Sequence, residues 1–222
     1  MLNINGLHFT FGQKTIFTDL SLSFSSGQIT GIIGKNGVGK TTLFRIITGI
    51  YRLQKGEIMW DGKKLLPSAI AFMPTEPYFY PFMKGMEYLD IVANSEKEKK
   101  ISVDYASVLD LPLDELVDNY STGMRKKLAF AALFALTKPI IILDEPYNGV
   151  DLESNEMIKH IIKTNKTDKI VILSSHILST ITDISQQIYH ITDGGHVTFY
   201  ENNRFNKLEE KLMQVVESRK IG

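Results

Sequence analysis

The chain has 222 residues, of which 25 are Lys or Arg and 25 are Asp or Glu, so its net charge is zero. Proteins whose main partner is nucleic acid or an anionic membrane surface normally carry a basic excess, so we expect no nucleic acid partner and no polybasic anchor. The length suits one domain or one domain with an inserted subdomain, and the absence of cysteine excludes disulfides and Cys-ligated zinc.

The sequence shows no candidate membrane span and no targeting signal. The longest stretch without acidic or basic residues, Leu20–Gly34, is too short to cross a bilayer. At the N-terminus no basic region precedes an apolar run, so we expect no signal peptide. These observations predict a cytoplasmic protein. If it acts at a membrane, another chain must supply the membrane-spanning part.

In chain order, antiparallel β-structure comes first. Apolar and polar residues alternate over Leu20–Phe24, which is the period of a strand with one buried face. Asp61-Gly62 separates Glu57–Trp60 from Lys63–Leu66. Because Asp-Gly tolerates the positive φ angles of a tight turn, this segment predicts a hairpin.

Short apolar runs, typical of parallel strands buried on both faces, alternate with helical patterns. The apolar runs are Ile29–Ile33, Ala69–Met73, Ile140–Leu143 and Ile170–Leu173, and the helical patterns are Gly39–Gly49 and Asp151–Asn165. This alternation predicts an α/β core.

The segment between Pro74 and Leu136 lacks strand patterns and has helical periodicity instead. The periodic stretches are Lys84–Ala93, Val103–Leu109 and Gly123–Leu136. The charge run Glu96–Lys100 mixes signs and is typical of a solvated loop or helix edge. We interpret this segment as a helical subdomain inserted into the α/β core.

The end of the chain closes the core. Asp193-Gly194-Gly195 predicts a turn between two strands, and an apolar stripe after it predicts an amphipathic helix. We therefore predict one domain: an α/β core with an N-terminal antiparallel β-subdomain (1–73 and 137–200), a helical subdomain (74–136) and a C-terminal helical tail (201–222).

Residues 34–41 match the phosphate-loop pattern G-x-x-x-x-G-K-[ST] in full, after an apolar strand and before a helical pattern. Its glycines let backbone N–H groups point at phosphates, beside a positive helix N-terminus. Lys40 places a charge near the β- and γ-phosphates, and the Thr41 hydroxyl ligates Mg²⁺. The alternative is a glycine-rich turn without a ligand. We favour phosphate binding by Gly34, Lys35, Asn36, Gly37, Val38, Gly39, Lys40, Thr41 and Thr42.

Two acidic residues directly follow a buried-strand pattern. Asp144 and Glu145 come after Ile140–Leu143, and parallel sheets bind ligands at the carboxyl ends of their strands. Asp144 can hold Mg²⁺, and Glu145 can orient or deprotonate an attacking water. Taken alone, a strand end that meets solvent explains the two acids nearly as well. Beside the phosphate loop, the functional interpretation is favoured.

Further motifs follow in a fixed order: Tyr120-Ser121-Thr122-Gly123-Met124, then Asp144-Glu145-Pro146, then Ser175-His176. With the phosphate loop and the helical insertion, the chain resembles the nucleotide-binding subunit of ATP-binding-cassette (ABC) transporters, from about residue 2 to residue 200. The resemblance implies a phosphate-loop NTPase fold and an ATPase that uses ATP and Mg²⁺.

The same resemblance implies partners. An ABC subunit dimerises around two ATP molecules, here with a second copy of itself or with a paralogous ATPase subunit, and powers a separate integral membrane permease. The short chain and its terminal segment Leu208-Glu209-Glu210 look most like the stand-alone ATPase subunits of bacterial exporters. The protein would then lie in the cytoplasm, peripheral on the inner face of the cell membrane.

Site residues also follow from the resemblance. It implies catalytic roles for Glu145, His176 and Lys40, with His176 as the switch histidine at the γ-phosphate. Phe11 matches the aromatic that stacks on adenine, although core packing with Phe9 is an alternative. Ser121 and Gly123 belong to the signature segment (residues 120–124), which closes the partner's nucleotide; within one chain, a plain helix N-cap explains Ser121.

The sequence departs from the family pattern at two places. Thr75 stands where the family usually has a metal-contacting Gln, so Thr41, Asp144 and Thr75 form the implied metal set. The signature segment has Thr122 and Met124 in place of Gly and Gln. Neither departure removes Glu145, so we expect hydrolysis.

Two other functions compete with this interpretation. A soluble ABC protein of translation or DNA repair is disfavoured by the zero net charge, the single cassette and the lack of long heptads or Cys ligands. A regulatory cassette that binds ATP without turnover is disfavoured by Glu145 and His176. Finally, the aromatic segment Pro77–Met83 either packs in the core or forms a pocket for a permease helix.

Overall fold

The computed structural model describes residues 1–220; residues 221 and 222, the end of the predicted tail, lie outside the described residues. In chain order the strands are β1 (Leu2–Phe11), β2 (Lys14–Phe24), β3 (Ile29–Ile33), β4 (Lys55–Trp60), β5 (Lys63–Lys64), β6 (Ile70–Met73), β7 (Ile140–Leu143), β8 (Ile170–Ser175), β9 (Gln187–Ile191) and β10 (Val197–Glu201). The helices are α1 (Lys40–Ile47), α2 (Gly85–Val92), α3 (Glu96–Val108), α4 (Thr122–Phe134), α5 (Leu152–Thr164), α6 (Leu178–Thr182) and α7 (Phe205–Lys220).

The strands form two sheets. An antiparallel sheet has the order β2-β1-β4-β5, and a second sheet has the order β10-β9-β3-β8-β7-β6. In the second sheet all neighbouring pairs are parallel except β9 and β10, which form the closing antiparallel pair. The predicted α/β core with an antiparallel β-subdomain and a helical insertion is confirmed.

The core lies on both faces of the parallel strands, as the apolar runs predict. On β7, Ile140 and Ile142 belong to a cluster shared with α1 and the antiparallel sheet. Ile141 and Leu143 belong to a second cluster, shared with α4 and α5. All four side chains are inaccessible to solvent. A continuous apolar run therefore marks a strand with no exposed face.

The predicted hairpin is present between β4 and β5. Asp61 and Gly62 have φ angles of 48° and 74°, so both turn residues occupy the left-handed region that Asp-Gly favours. The alternation over Leu20–Phe24 is confirmed as well, since the three apolar side chains of this stretch are buried.

Helices α2, α3 and α4 fill the chain between β6 and β7. The interpretation of Glu96–Lys100 as a solvated segment was wrong for one residue. These residues form the first turns of α3, where Glu98 is only 5% exposed and accepts hydrogen bonds from the Asn94 and Thr137 backbone N–H groups at 2.8 and 2.6 Å. Burial alone would raise the pKa of Glu98, but these hydrogen bonds lower it to about 2.

Within residues 1–220, no helix combines the length and the apolar character that crossing a bilayer requires. The division of the chain at residues 73, 136 and 200 stays a prediction.

Candidate functional site

The phosphate loop lies where β3 ends and α1 begins. Gly37 and Gly39 have φ angles of 82° and 112°, which glycine adopts without steric cost. A Cβ at Gly39 would also lie 2.9 Å from Phe17 Cζ and 2.7 Å from Ile16 Cγ2. Glycine is therefore required at position 39 both by the backbone and by its neighbours, and the turn brings Lys40 to the first position of α1.

A cavity of about 350 Å³ opens over this loop. This volume is within the range of small-molecule sites. The cavity is lined by Asn36, Gly37, Gly39, Lys40, Thr41, Thr42, Thr75, Glu145, Asn148 and His176. Most of the predicted site residues are thus brought together at one place, which we call the nucleotide pocket.

Lys40 is buried within this pocket. Its Nζ donates to the Gly34 carbonyl at 2.7 Å and lies 3.7 Å from Glu145 Oε1. Burial lowers the pKa of Lys40, and the charges of Glu145 and Asp144 oppose that shift. The ammonium group adds to the positive end of α1, so the pocket favours an anionic ligand.

Asp144 is fully buried and accepts hydrogen bonds from three hydroxyl groups. Its Oδ2 accepts from Thr41 Oγ1 at 2.6 Å and from Thr75 Oγ1 at 2.8 Å. Its Oδ1 accepts from Ser174 Oγ at 2.6 Å. The three predicted metal ligands, Thr41, Asp144 and Thr75, therefore meet at one carboxylate oxygen.

This donor set fits Mg²⁺, which prefers oxygen ligands and is usually held by one or two carboxylates together with substrate phosphates. Among residues 1–220, no group of three His, Cys, Asp or Glu side chains is placed to hold a metal ion. A metal at Asp144 would complete its coordination with phosphate oxygens and water.

Glu145 lies between Lys40 and His176. Its Oε2 is 2.9 Å from His176 Nδ1, and its Oε1 faces Lys40 Nζ. An ionised carboxylate only accepts hydrogen bonds, so the imidazole Nδ1 carries a proton and Nε2 remains for another partner. The arrangement places an oriented carboxylate and an oriented imidazole at the same pocket.

Some predicted site residues lie elsewhere. Gly34, Lys35 and Val38 belong to the loop but line a neighbouring cavity of about 210 Å³. Phe11 does not line the nucleotide pocket: its half-exposed ring packs edge-on against Phe9 and Tyr51, with ring centroids 5.0 and 5.5 Å away. The ring therefore contacts Phe9, but at 46% exposure it is not packed in the core.

The signature segment also lies outside the pocket of its own chain. Ser121 is exposed and caps α4, since its Oγ accepts from the Met124 N–H at 3.2 Å. Gly123 is buried, and a Cβ there would lie 2.6 Å from the Gly149 carbonyl oxygen. Within one chain the helix-cap interpretation of Ser121 therefore describes its contacts, and Gly123 allows α4 to pack closely on residues 149 and 150.

Three residues near the pocket are not among those predicted from the sequence. Asn148 lines it, Ser174 bridges Asp144 and the Glu145 N–H, and Lys126 donates to the Glu145 carbonyl at 2.9 Å. Ser174 could have been identified from the sequence, because it is a polar residue directly after the apolar run of β8. No local pattern marks Lys126, because its target lies 19 residues further along the chain.

Comparisons with known proteins agree with this geometry. A family model described as ABC transporter matches residues 17–148. The chain is 30% identical over 189 residues to the SkfA peptide export ATP-binding protein SkfE of Bacillus subtilis, covering 79% of this chain and 78% of that protein. It is 28% identical over 222 residues to the lantibiotic transport ATP-binding protein SrtF of Streptococcus pyogenes, covering 95% of each.

A solved structure of the ATP-binding subunit of an ABC transporter has the same fold, with a TM-score of 0.85 and 21% identity over 97% of this chain and 99% of that one. The family model spans more than half of the sequence, from β2 to the residues just after Glu145. The protein therefore belongs to the ABC transporter family, as an ATP-binding and ATP-hydrolysing subunit.

Proposed function

We propose that the protein hydrolyses MgATP in the nucleotide pocket, as one half of a dimer that drives export through a separate membrane permease. The observation that carries this proposal is the position of the Glu145 carboxylate, which lies 2.9 Å from His176 Nδ1 and 3.7 Å from Lys40 Nζ above the phosphate loop. A regulatory cassette without turnover would not need this constellation.

Each pocket residue has a distinct role in the proposed reaction. The N–H groups of the phosphate loop and the Lys40 charge bind the phosphates of ATP. Glu145 orients the attacking water and accepts its proton, while the Glu145–His176 hydrogen bond leaves His176 Nε2 to contact the γ-phosphate. The half-exposed ring of Phe11 is the surface on which the adenine stacks.

Asp144, Thr41 and Thr75 are the residues that would hold Mg²⁺. When bound, the ion supplies positive charge that offsets the charge developing on the transferred phosphoryl group. The 2.6 and 2.8 Å hydrogen bonds from the two threonines to Asp144 Oδ2 support this assignment, because the two hydroxyl oxygens and the carboxylate oxygen lie close enough to share one ion.

The position of the signature segment supports a dimer, because this segment does not line the pocket of its own chain. The exposed N-terminal end of α4, capped by Ser121, presents the positive end of the helix dipole. Because this end does not line the pocket of its own chain, we infer that it closes the pocket of a second copy or of a paralogous subunit, head to tail.

An exposed aromatic patch supports a permease partner. Tyr78, Tyr80 and Phe82 are 72%, 61% and 81% exposed, whereas Phe79 packs on Tyr88 and Met83 is buried. Exposed clusters of large apolar side chains are typical of interaction sites. Of the two interpretations of this segment, core packing thus fits Phe79 and Met83, and the permease contact fits the other three. The protein would then lie on the inner face of the membrane.

The kind of cargo is inferred from relatives. The SkfE and SrtF proteins are named for peptide export and lantibiotic transport. We infer a peptide exporter of the same general kind.

The shared site is tested by replacing Ser121 with arginine. Ser121→Arg should leave ATP binding by the monomer unchanged but abolish most hydrolysis, because a bulky side chain prevents the end of α4 from approaching the γ-phosphate.

Two further variants test the pocket itself. Lys40→Ala should weaken MgATP binding and stop hydrolysis. Glu145→Gln should bind ATP, lose turnover and accumulate as a dimer in size-exclusion chromatography with MgATP.

A matched control is Ser26→Arg, since Ser26 is an exposed serine that precedes β3, at the opposite end of that strand from the phosphate loop. This variant should hydrolyse ATP normally. Hydrolysis at the wild-type rate by Ser121→Arg would contradict the shared-site mechanism, and wild-type turnover by Lys40→Ala would contradict the assignment of the pocket.

A further inference from the structure

Lys126 is a buried cation without a carboxylate partner among the described residues. It lies on α4, is only 3% exposed, and has no Asp or Glu oxygen within 4.0 Å in the part of the chain that the structure describes. Its Nζ instead donates to the main-chain carbonyl of Glu145 at 2.9 Å. Lysine is almost never this deeply buried without a specific partner, so the contact with Glu145 needs an explanation.

The explanation lies in the backbone of Glu145. Its φ angle is 52°, in the left-handed region, which is strained for a residue that carries a side chain. Such a conformation persists only where the surroundings fix it. Here the Glu145 N–H donates to Ser174 Oγ at 2.9 Å, and the carbonyl accepts from Lys126 and, at 3.3 Å, from the Asn148 N–H.

The direction of the Glu145 carboxylate depends on this backbone. A strand that continued through Asp144 would point successive side chains to opposite faces. The left-handed turn instead brings the Glu145 carboxylate to His176 and Lys40. A change of the Glu145 φ angle would turn its Cα–Cβ bond and so move the carboxylate away from both.

We propose that Lys126 is a positioning residue, which fixes the left-handed backbone of Glu145 through its carbonyl and thereby aims the carboxylate at the attacking water. This inference rests on the proposed role of Glu145 in hydrolysis. Lys126 does not itself line the nucleotide pocket and contacts the lining only through the Glu145 carbonyl, so we expect it to act on the rate of the chemical step and not on ATP affinity.

The test replaces Lys126 with methionine, which fills a similar space without a charge or a donor. Lys126→Met should lower kcat about 10–100-fold, the effect of displacing a reacting group by about 1 Å, while KM and the Kd for a fluorescent ATP analogue stay within about twofold. Lys126→Arg, which keeps a donor, should recover part of the lost kcat.

The matched control is Lys159→Met. Lys159 is an equally buried lysine on α5, paired with Glu156 and Asp183 at 2.8 and 2.9 Å and outside the nucleotide pocket. Losing this cation should lower the thermal stability but leave kcat unchanged. If Lys126→Met does not fold, Lys126→Leu, which also lacks a charge and a donor, takes its place under the same criteria.

Comparison with Glu145→Gln separates this inference from the proposed function. In the Glu145→Gln background, adding Lys126→Met should cause no further loss of turnover, because both changes act through one carboxylate. Wild-type turnover by Glu145→Gln would remove the proposed role of Glu145 itself. An inactive Glu145→Gln together with a folded Lys126→Met or Lys126→Leu of wild-type kcat would overturn the positioning role alone, as would a further independent loss in the double variant.

Discussion

Replacing Thr75 with valine removes one hydroxyl from the proposed metal site and keeps the shape of the side chain. Thr75 Oγ1 donates at 2.8 Å to Asp144 Oδ2, the oxygen that also accepts from Thr41. Asp144 is fully buried, so solvent does not readily replace the lost donor. We expect Thr75→Val to fold normally and to need more Mg²⁺ for hydrolysis.

The structure sets the size of the effect. A hydrogen bond to a charged group contributes about 1.5–3 kcal/mol, and about 1.4 kcal/mol changes an equilibrium constant tenfold. Thr41 keeps its own 2.6 Å bond to the same oxygen, so the lower end of this range applies. The Mg²⁺ concentration at half-maximal hydrolysis should therefore rise about tenfold, which is within the range measured for residues that orient metal ligands.

The assay titrates Mg²⁺ at fixed, saturating ATP and follows phosphate release. Thr48→Val is the matched control, because Thr48 directly follows α1 and donates at 2.8 Å to the Phe44 carbonyl, outside the nucleotide pocket. This control should show the wild-type Mg²⁺ dependence. If Thr75→Val shows it too, Thr75 takes no part in metal binding and its bond to Asp144 is purely structural.

Two further predictions concern stability and coupling. The pKa of Glu98 is about 2 in the folded chain and about 4.5 when unperturbed, so its contribution to stability is complete above about pH 4.5 and is lost as the pH falls towards 2. In urea unfolding Glu98→Gln should be less stable than wild type at pH 7 but lose less stability below pH 4.5; parallel losses would contradict this. Tyr78→Ser or Tyr80→Ser should uncouple transport from ATP hydrolysis without changing folding or basal turnover, whereas Phe79→Ser, which loses packing on Tyr88, should melt at a lower temperature. Normal transport by both tyrosine variants would remove the permease contact.

The sequence predicts those parts of the site that depend on local order. The phosphate loop, Asp144 and Glu145 each follow a short apolar run, and buried parallel strands ending at one edge account for their proximity. Whether Thr75 reaches Asp144 depends on which strands are neighbours, and no local pattern gives that order. Once β6 pairs with β7, with Met73 opposite Leu143, residues 75 and 144 must lie beside each other at the same edge.

Contacts between distant elements were not predictable in this way. The charge run Glu96–Lys100 gives no sign that Glu98 alone is buried, since its partner Thr137 lies 39 residues away. Similarly, Lys126 and Lys127 are adjacent and both buried, but Lys126 donates to Glu145 and Lys127 to Ser154. Only the packing of α4 against the neighbouring elements distinguishes them.

The left-handed backbone at Glu145 explains how two consecutive carboxylates serve one pocket. Asp144 Oδ2 accepts a hydrogen bond from the hydroxyl of Thr41. Glu145 Oε1 lies near the ammonium of Lys40, which directly precedes Thr41 in the chain. Along an extended strand, neighbouring side chains point apart, so a straight continuation of β7 would send only one of the two acids to this loop. The chain leaves the strand at Asp144 and turns at Glu145, which lets the Asp144 carboxylate stay buried while the Glu145 carboxylate faces Lys40 and His176. The strained backbone of Glu145 is held on both sides, at its N–H by Ser174 and at its carbonyl by Lys126 and Asn148.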